Sequence, residues 1–248
     1  MLVLLPPSET KRDGGEPGSS LDLAGLSHPE LTEHRTEALD ALRNLSRNLT
    51  VATGALGLGP TQRFEVDRNR AVRSSPVMPA IDRYTGVLYD GIAAATLGDG
   101  ERQWVLEHVA VNSALFGLVG AGDRIPAYRL SHDSRLPGLS LKKHWRAALG
   151  DVIARVPGLV LDLRSESYAA LGPLTTGPDA HYLRVVTQTD SGQKKALTHF
   201  NKKGKGVFVR ELAEAGIDHA DADSLMAWAS SAGIRLERGK PGELELYV

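Results

Sequence analysis

The alternation of apolar runs with polar and turn-forming residues along the chain predicts a mixed α/β fold. Residues 2–5 and 159–163 are short apolar runs of the kind that form strands buried on both faces, and residues 182–188 are expected to form a third strand. Strict apolar–polar alternation on both sides of residues 239–242 predicts a C-terminal β-hairpin. We therefore expect an α+β protein with a central mixed sheet flanked by helices.

Helical spacing of apolar residues fills the intervals between these strands. Residues 28–49 are expected to form one amphipathic helix, with Ser27 and Glu30 as its capping box. The arginines of this segment lie off the apolar stripe and are interpreted as a solvated face. Further helices are expected at 101–119 (or a helix followed by a strand), 141–155 and 206–215, and a last one capped by Asp223 and ending near Ser230.

Length and composition fit one soluble domain over residues 1–248, with a helical subregion at about 28–73. The chain is 42% apolar and 24% charged, and it contains no cysteine, which excludes disulfides, iron–sulfur clusters and thiolate metal sites. Its apolar runs are shorter than a membrane-spanning helix, and its first seven residues have the features of a strand and lack those of a signal peptide. The expectation is a cytoplasmic protein without a membrane partner, and a monomer by default.

Charge is segregated along the chain although the net charge is only −1. Residues 1–42 and 211–248 each have a balance of −5, whereas residues 43–73 stand at +4 and residues 194–210 at +6. Two basic segments that are distant in sequence could meet on one face and form a cationic cleft for nucleic acid.

The basic stretch at 194–206 holds five lysines and no carboxylate. Gly204 and Gly206 alternate with Lys205, so the backbone is expected to bend there and to expose N–H groups beside the ammonium groups, as phosphate binding requires. A solvated basic loop is the alternative interpretation.

A glycine-rich turn at 53–61 follows the long predicted helix. Its Gly57-Leu58-Gly59 sequence has the Gly-hydrophobic-Gly form of helix-hairpin-helix modules, in which backbone N–H groups point at a DNA phosphate. Arg63 and three further arginines up to residue 73 follow directly, which favours phosphate contact. An ordinary helix-to-strand turn is the alternative.

Polar residues follow both of the first two core strands. If the strands are parallel neighbours, these polar tails converge at the carboxyl edge of the sheet and form a pocket. A buried carboxylate beside a lysine in such a pocket could act as general acid or base; a structural ion-pair network is the alternative. The catalytic candidates are Lys11, Asp162 and Glu166, and the other pocket residues are Glu9, Tyr89, Tyr128, Arg129, Arg164, Ser165 and Tyr168.

An ordered set of motifs resembles the YaaA family of bacterial peroxide-stress-resistance proteins over nearly the whole chain. The motifs include Leu-Leu-Pro-Pro-Ser-Glu-Thr-Lys at 4–11, Tyr-Thr-Gly-Val-Leu-Tyr-Asp-Gly at 84–91, Ser-Ala-Leu-Phe-Gly-Leu-Val at 113–119, Asp-Leu-Arg-Ser-Glu-Ser-Tyr at 162–168 and His-Phe-Asn-Lys-Lys-Gly-Lys-Gly at 199–206. This chain departs from a common form of the opening motif, Ser-Pro-Ala-Lys-Thr, because Lys11 follows Thr10 instead of preceding a threonine.

The resemblance implies a protein that lowers free intracellular iron under peroxide stress and binds DNA through a positively charged cleft and a helix-hairpin-helix-like element. Carried over by position, Gly57 and Gly59 are the hairpin glycines. By the same transfer, the cleft is lined by Lys202, Lys203, Lys205 and Arg210.

Three functional hypotheses follow. The first is binding of double-stranded or junction DNA, since an aromatic content of 5% argues against a single-strand stacking platform. The second is an enzyme acting on a nucleotide or nucleobase, such as a glycosidic-bond hydrolase, in the strand-end pocket. The third, direct iron binding, is disfavoured because the eight histidines show no ligand spacing. No cofactor is expected.

Overall fold

A computed structural model describes residues 1–174, 177, 179–188, 194–196 and 200–248. The strands are β1 Leu2–Leu5, β2 Met78–Pro79, β3 Val109–Ser113, β4 Gly117–Gly120, β5 Arg124–Ile125, β6 Val160–Asp162, β7 Ala180–Gln188, β8 Lys194–Ala196, β9 Leu236–Arg238 and β10 Glu243–Tyr247. The helices are α1 Thr32–Leu45, α2 Leu49–Ala55, α3 Phe64–Ala71, α4 Ala80–Arg83, α5 Val87–Ile92, α6 Asp99–His108, α7 Leu141–Ala154, α8 Glu166–Ala169, α9 Phe200–Ala215 and α10 Ala222–Ser231.

The main sheet is mixed, as the sequence predicts. Its strands follow the order β4-β3-β1-β6-β7-β10-β9, and β8 pairs with β7. The strands β3, β1, β6, β7 and β10 are parallel to their neighbours within this group, whereas β4, β8 and β9 pair antiparallel. The C-terminal hairpin of β9 and β10 is confirmed.

The order of the parallel strands creates a switch point between β1 and β6. Taken in chain order, the five parallel strands are arranged 2-1-3-4-5, so the chain leaves β1 toward one edge and later returns to its other side. Leu2 pairs with Val160 and Leu4 with Asp162, which confirms that the first two predicted strands are parallel neighbours. In doubly wound sheets, ligands bind outside the carboxyl ends of the strands at such a point.

Helices cover both faces of this sheet. Val3, Leu4 and Leu5 are all fully buried, and since successive side chains of a strand point to opposite faces, neither face of β1 is open to solvent. The helix α9 packs closely on α5, and α7 places Trp145 in the core, where its indole N–H donates to the Ala114 carbonyl at 2.9 Å.

The predicted helix over 28–49 is wrong in its bounds. A 3₁₀ turn at Pro29–Leu31 leads into α1, which ends at Leu45, and α2 begins at Leu49. The predicted capping box does not form because the Ser27 hydroxyl donates to the Asp123 carboxylate at 2.8 Å.

Arg35 is not on a solvated face, contrary to the prediction for the arginines of this segment. Its side chain is fully buried and donates to the main-chain carbonyls of Ser27 and Leu118 at 2.6 and 2.8 Å and to that of Phe116 at 2.9 Å. A buried guanidinium with this many acceptors fixes the approach of α1 to β4.

The expected bend at the glycines of the basic stretch is also wrong, because Gly204 and Gly206 lie within α9. A Cβ on Gly206 would approach the Leu88 carbonyl oxygen to 2.1 Å, so the glycine serves the contact between α9 and α5. The predicted cap of the last helix is off by two residues: Asp221 caps α10, its carboxylate accepting from the Ser224 N–H at 2.8 Å.

Candidate functional site

The segment that follows β1 carries the polar residues at the switch point. It is held at its start by the Tyr89 hydroxyl, which donates to the Pro6 carbonyl at 2.8 Å. It is held at its end by an isolated antiparallel bridge between Lys11 and Tyr84. The chain therefore curls back over the carboxyl end of the sheet and presents its side chains there.

Lys11 is enclosed at this edge although it is a lysine. Only 6% of it is exposed, and its ammonium donates to the carbonyls of Ser8 and Glu9 at 2.8 and 3.2 Å. The Nζ atom lies 4.2 Å from the centroid of the Tyr128 ring and 5.4 Å from that of Tyr84, which are cation–π distances. Burial, as the largest effect, lowers the pKa of Lys11 to about 7.

A chain of buried hydroxyls lies under this lysine. The Tyr128 hydroxyl is 2.7 Å from the Ser113 Oγ and 2.9 Å from the Tyr84 hydroxyl. Burial raises the pKa of both tyrosines well above the ordinary value, so they remain neutral phenols at physiological pH. Tyr168 packs against the chain segment that follows Tyr128, with its ring 5.2 Å from the His132 ring, and burial raises the pKa of Tyr168 as well.

Arg129 forms the second buried cation of the site. Its main chain is held by Asn69 of α3, whose amide nitrogen donates to the Arg129 carbonyl at 2.9 Å and whose carbonyl accepts the Arg129 N–H at 2.8 Å. The guanidinium pairs with the Glu9 carboxylate at 2.5 Å, while the Glu9 side chain is 65% exposed. The Arg129 Nε atom is buried and has no hydrogen-bond partner among the residues that the structure describes.

Asp162 and Arg164 form a closed ion pair inside the sheet edge. The Arg164 side chain binds both oxygens of Asp162 at 2.8 and 2.7 Å and also donates to Asn112 and to the Gly172 carbonyl. Both side chains are essentially fully buried. This is the geometry of the structural ion-pair alternative, in which both oxygens of the Asp162 carboxylate are engaged by Arg164.

The remaining candidates after β6 lie on the surface side of this edge. Ser165 caps α8, with its hydroxyl accepting the Tyr168 N–H at 3.4 Å. Glu166 is 76% exposed and pairs with Arg184 at 3.2 Å. The structure therefore brings five of the predicted pocket residues together: Lys11, Tyr89, Tyr128, Arg129 and Tyr168. Glu166 lies on the surface, outside this group.

A second feature is an arginine cleft between α1 and α3, which sequence reasoning missed as a site. The cleft has a volume of about 420 Å³ and is lined by Asp40, Arg43, Asn44, Arg47 and Arg70. Arg70 is held in place by its bonds to the Ser46 carbonyl and to Asp67, both at 2.7 Å. The available signal was the four-residue spacing of Arg43, on α1, and Arg47, in the turn that follows it, together with the arginine-rich α3.

The glycine turn lies between α2 and α3. Gly57 has φ +63° and ends α2, and the Leu58 N–H donates to the Thr53 carbonyl at 2.9 Å. The Gly59 N–H donates to the Gln62 side-chain oxygen at 3.0 Å. These N–H groups are engaged within the turn, so in this conformation it works as a helix C-cap followed by a new helix start. Arg63, which follows, is exposed.

Comparison of the sequence with those of known proteins identifies the family. The sequence model of the family described as peroxide stress protein YaaA matches residues 1–237. The chain belongs to the YaaA family. A UPF0246 protein of Corynebacterium efficiens is 42% identical over 255 residues, covering 100% of both chains. UPF0246 proteins of Corynebacterium glutamicum and Streptomyces coelicolor are 41% and 37% identical and cover 96% and 100% of this chain and 95% and 98% of their own lengths.

The residues carried over from the YaaA resemblance to the basic stretch separate in the structure. Lys202 and Lys203 are exposed on α9, whereas Lys205 is 4% exposed and donates to the Leu163 and Arg164 carbonyls. Burial lowers the pKa of Lys205 to about 8. Residues 197–199 of the basic stretch, of which the last is also the first residue of the family motif, lie outside the described residues.

The Arg210 side chain is likewise hydrogen-bonded within the protein. Its guanidinium donates to the Ile92 carbonyl at 3.1 Å, to the Thr96 hydroxyl at 2.8 Å and to Glu214 at 2.7 Å. Only two of the four cleft residues implied by the YaaA resemblance therefore present a free cationic group to solvent, and both are lysines of α9.

The described part of the YaaA chain holds neither a metal-ligand cluster nor a helix that could span a membrane. Within those residues, no cluster of three or more His, Asp or Glu side chains is arranged to hold a metal ion. Within the same residues, no helix has the length and apolar character needed to cross a membrane.

Proposed function

We propose that this YaaA-family protein acts in the peroxide stress response by binding duplex or junction DNA, with the arginine cleft as its main phosphate site. The observation that carries the proposal is the cleft itself, where three guanidinium groups surround one space and Asp40 is the carboxylate among the lining residues. Guanidinium groups bind phosphate oxygens in a bidentate manner and keep their charge at all physiological pH values.

The cleft suits a DNA backbone better than base recognition. Arg43 and Arg47 are exposed and line the same cleft, so both can approach phosphates of one strand. The exposed Arg63 and the exposed Lys202 and Lys203 supply further cationic contacts at other places on the surface. We further propose that the protein limits peroxide damage at the DNA and that the fall in free iron implied by the resemblance is an indirect effect.

The test is a salt series of DNA binding measured by fluorescence anisotropy with a duplex and a four-way junction. We expect Arg43→Ala/Arg47→Ala to reduce the slope of log K against log salt by about 2, because each phosphate contact contributes about 0.9. The matched control is Lys142→Ala/Arg146→Ala, two exposed cations at the same spacing on α7, which should leave the slope unchanged. Absence of binding by the wild type at low salt would contradict the proposal.

A double variant of α9 separates the two cationic surfaces. Lys202→Ala/Lys203→Ala removes the exposed lysines that the family resemblance assigns to the cleft. If this variant loses more of the salt slope than Arg43→Ala/Arg47→Ala does, α9 is the main phosphate site and the arginine cleft is secondary.

A second candidate function is an enzyme that acts on a nucleotide or nucleobase at the switch point. It is favoured by the two buried cations, Lys11 and Arg129, beside tyrosine rings at the carboxyl edge of the sheet. Incubation with the common nucleosides and nucleotides, followed by chromatography, tests it. We expect release of a free base or phosphate by the wild type and none by Lys11→Met; no turnover of any of them would exclude this function.

A further inference from the structure

The direction of the buried hydroxyl chain can be assigned from its ends. The Ser113 Oγ already accepts two backbone N–H groups, those of Leu115 at 3.1 Å and Phe116 at 2.9 Å. Because both of its lone pairs are used, Ser113 donates its own proton to Tyr128. Tyr128 then donates to Tyr84, its neighbour at 2.9 Å.

The Tyr84 hydroxyl is therefore left with a proton to donate. Tyr84 is 2% exposed, and among the described residues the side chains hydrogen-bonded to its hydroxyl, Tyr128 and Ser113, both lower its pKa, so neither of them accepts its proton. A buried O–H donor without an acceptor is unfavourable by about 1–3 kcal/mol, so such groups usually mark a place where a ligand or water supplies the acceptor.

Two more unused donors lie in the same cluster. Lys11 uses two of its three ammonium protons on main-chain carbonyls. The buried Nε of Arg129 has no hydrogen-bond partner within the described part of the chain. Both side chains also contact Glu9: Lys11 donates to its main-chain carbonyl, and Arg129 donates to its carboxylate. The main chain of Lys11 pairs with that of Tyr84 in an isolated antiparallel bridge. The cluster thus presents three unused donors, two of them on cations.

We propose that Lys11, Tyr84 and Arg129 form a binding site for a small oxyanion, a carboxylate or a phosphate monoester, which displaces the Glu9 carboxylate from Arg129. An oxyanion offers several lone pairs to the three donors and balances the two buried charges. The Tyr128 ring, 4.2 Å from the Lys11 Nζ, gives the site an aromatic wall.

Glu9 acts in this arrangement as a built-in competitor. Its carboxylate holds Arg129, but its side chain is 65% exposed and forms no other ion pair with the described residues. A surface carboxylate with one ion pair can swing into water at small free-energy cost, on the order of 1 kcal/mol or less. Removal of this carboxylate should therefore tighten binding of the external anion.

Binding should also depend on pH through Lys11. With a pKa of about 7, Lys11 is largely neutral at pH 8.5 in the unliganded protein, and anion binding must then be accompanied by proton uptake. The charged and titratable groups around it are Glu9 on its own segment, Glu65 and Arg68 on α3, Tyr84 after α4, and Tyr128 and Arg129 after β5.

The inference gives the ligand chemistry of the second candidate function and rests on that same pocket, whereas it is independent of DNA binding. The experiment is isothermal titration of the full-length protein with benzoate, inorganic phosphate and deoxyadenosine monophosphate at constant ionic strength. Benzoate against phosphate separates a carboxylate from a phosphate ligand. For benzoate, whose charge is constant over this range, we expect affinity on the order of tenfold higher at pH 6.5 than at pH 8.5.

Four variants separate a ligand site from a structural cluster. Tyr84→Phe should weaken binding about tenfold and Lys11→Met by more, since each loses a donor to a charged group. Glu9→Ala should tighten binding several-fold. The matched control is Tyr182→Phe, which removes a hydroxyl that donates to the Arg164 carbonyl at the same edge of the sheet, is not one of the three donors, and should keep the wild-type affinity.

The outcomes are decisive for each proposal separately. No saturable binding of any of the three anions to the wild type or to Glu9→Ala at pH 6.5 would overturn the oxyanion site. Binding that is lost in Arg43→Ala/Arg47→Ala and kept in Tyr84→Phe would also overturn it, since the anion would then occupy the arginine cleft. Anion binding with the expected variant pattern but without turnover of nucleosides or nucleotides would support the site and remove the enzymatic function.

Discussion

At the scale of single residues, burial changes the acid–base behaviour of two lysines. Lys11 donates to a main-chain carbonyl just after β1, and Lys205 donates to one just after β6. Their pKa values are lowered to about 7 and about 8, respectively. Each lysine holds a chain segment at the carboxyl edge of the sheet. In both cases desolvation is the largest cause, so the neutral amine is favoured in the folded protein relative to the unfolded chain.

This shift predicts how stability depends on pH. Between pH 7 and about 10.5 the unfolded chain binds more protons at Lys11 than the folded protein does, so the free energy of unfolding rises with pH across that window. Compared with Lys11→Met, the wild type should gain about 1 kcal/mol per pH unit between roughly pH 8 and 9.5. Urea unfolding of both proteins at several pH values measures this difference. If the free energies of unfolding of the two proteins change with pH in parallel, the pKa of Lys11 is not lowered in the folded protein.

The ion pair of Asp162 and Arg164 gives a second prediction at this scale. Asp162→Ala should lower the free energy of unfolding by about 3–5 kcal/mol, because it leaves a fully buried guanidinium without its carboxylate. Glu166→Ala is the control, since the exposed pair with Arg184 should contribute less than about 1 kcal/mol. Urea denaturation of the two variants decides; an equal, small effect of both would mean that Arg164 finds water or another acceptor.

At the scale of elements, the contact between α5 and α9 depends on glycine. A Cβ on Gly206 would overlap the Leu88 carbonyl, whereas Gly150 in the middle of α7 has open space around its Cβ position. We expect Gly206→Ala to destabilise the protein by roughly 1–3 kcal/mol and Gly150→Ala to stabilise it by about 0.5–1 kcal/mol. Thermal unfolding followed by circular dichroism should show melting temperatures that move in opposite directions.

Another element, α3, joins the two sites. Asn69 holds the main chain of Arg129, and Glu65 and Arg68 contribute to the electrostatic environment of Lys11, while Arg70 lines the arginine cleft. One short helix thus positions groups for the strand-end cluster and for the proposed phosphate site. A substitution in α3 is therefore expected to affect both sites.

At the scale of the whole molecule, the last strand completes the parallel sheet. β10 pairs with β7 over five residues, and Leu244 and Leu246 are buried in the core. A chain ending at Arg235 should lose cooperative thermal unfolding, since β7 would become an edge and its apolar neighbours would be exposed. Lys240→Ala, an exposed change in the hairpin turn, should leave the transition intact. A cooperative transition of the shortened chain would show that the hairpin is dispensable.

The sequence by itself determined the elements whose patterns are local and strong. The apolar runs of β1 and β6, the alternation in β9 and β10, and the polar residues directly after the first two strands were all predicted, because strand period and turn residues are properties of a few adjacent positions. The family, too, was identified from short motifs in a fixed order.

Only the tertiary structure decided which charged residues are available for function. Several charged residues that could belong to a binding surface are already hydrogen-bonded to carbonyls or to an ion-pair partner inside the fold. They are Arg35, Asp162, Lys205 and Arg210. The arginine cleft and the three unused donors around Lys11 arise from residues distant in sequence. Burial and hydrogen-bond partners depend on long-range packing, and these determine whether a cation can meet a ligand or is already satisfied.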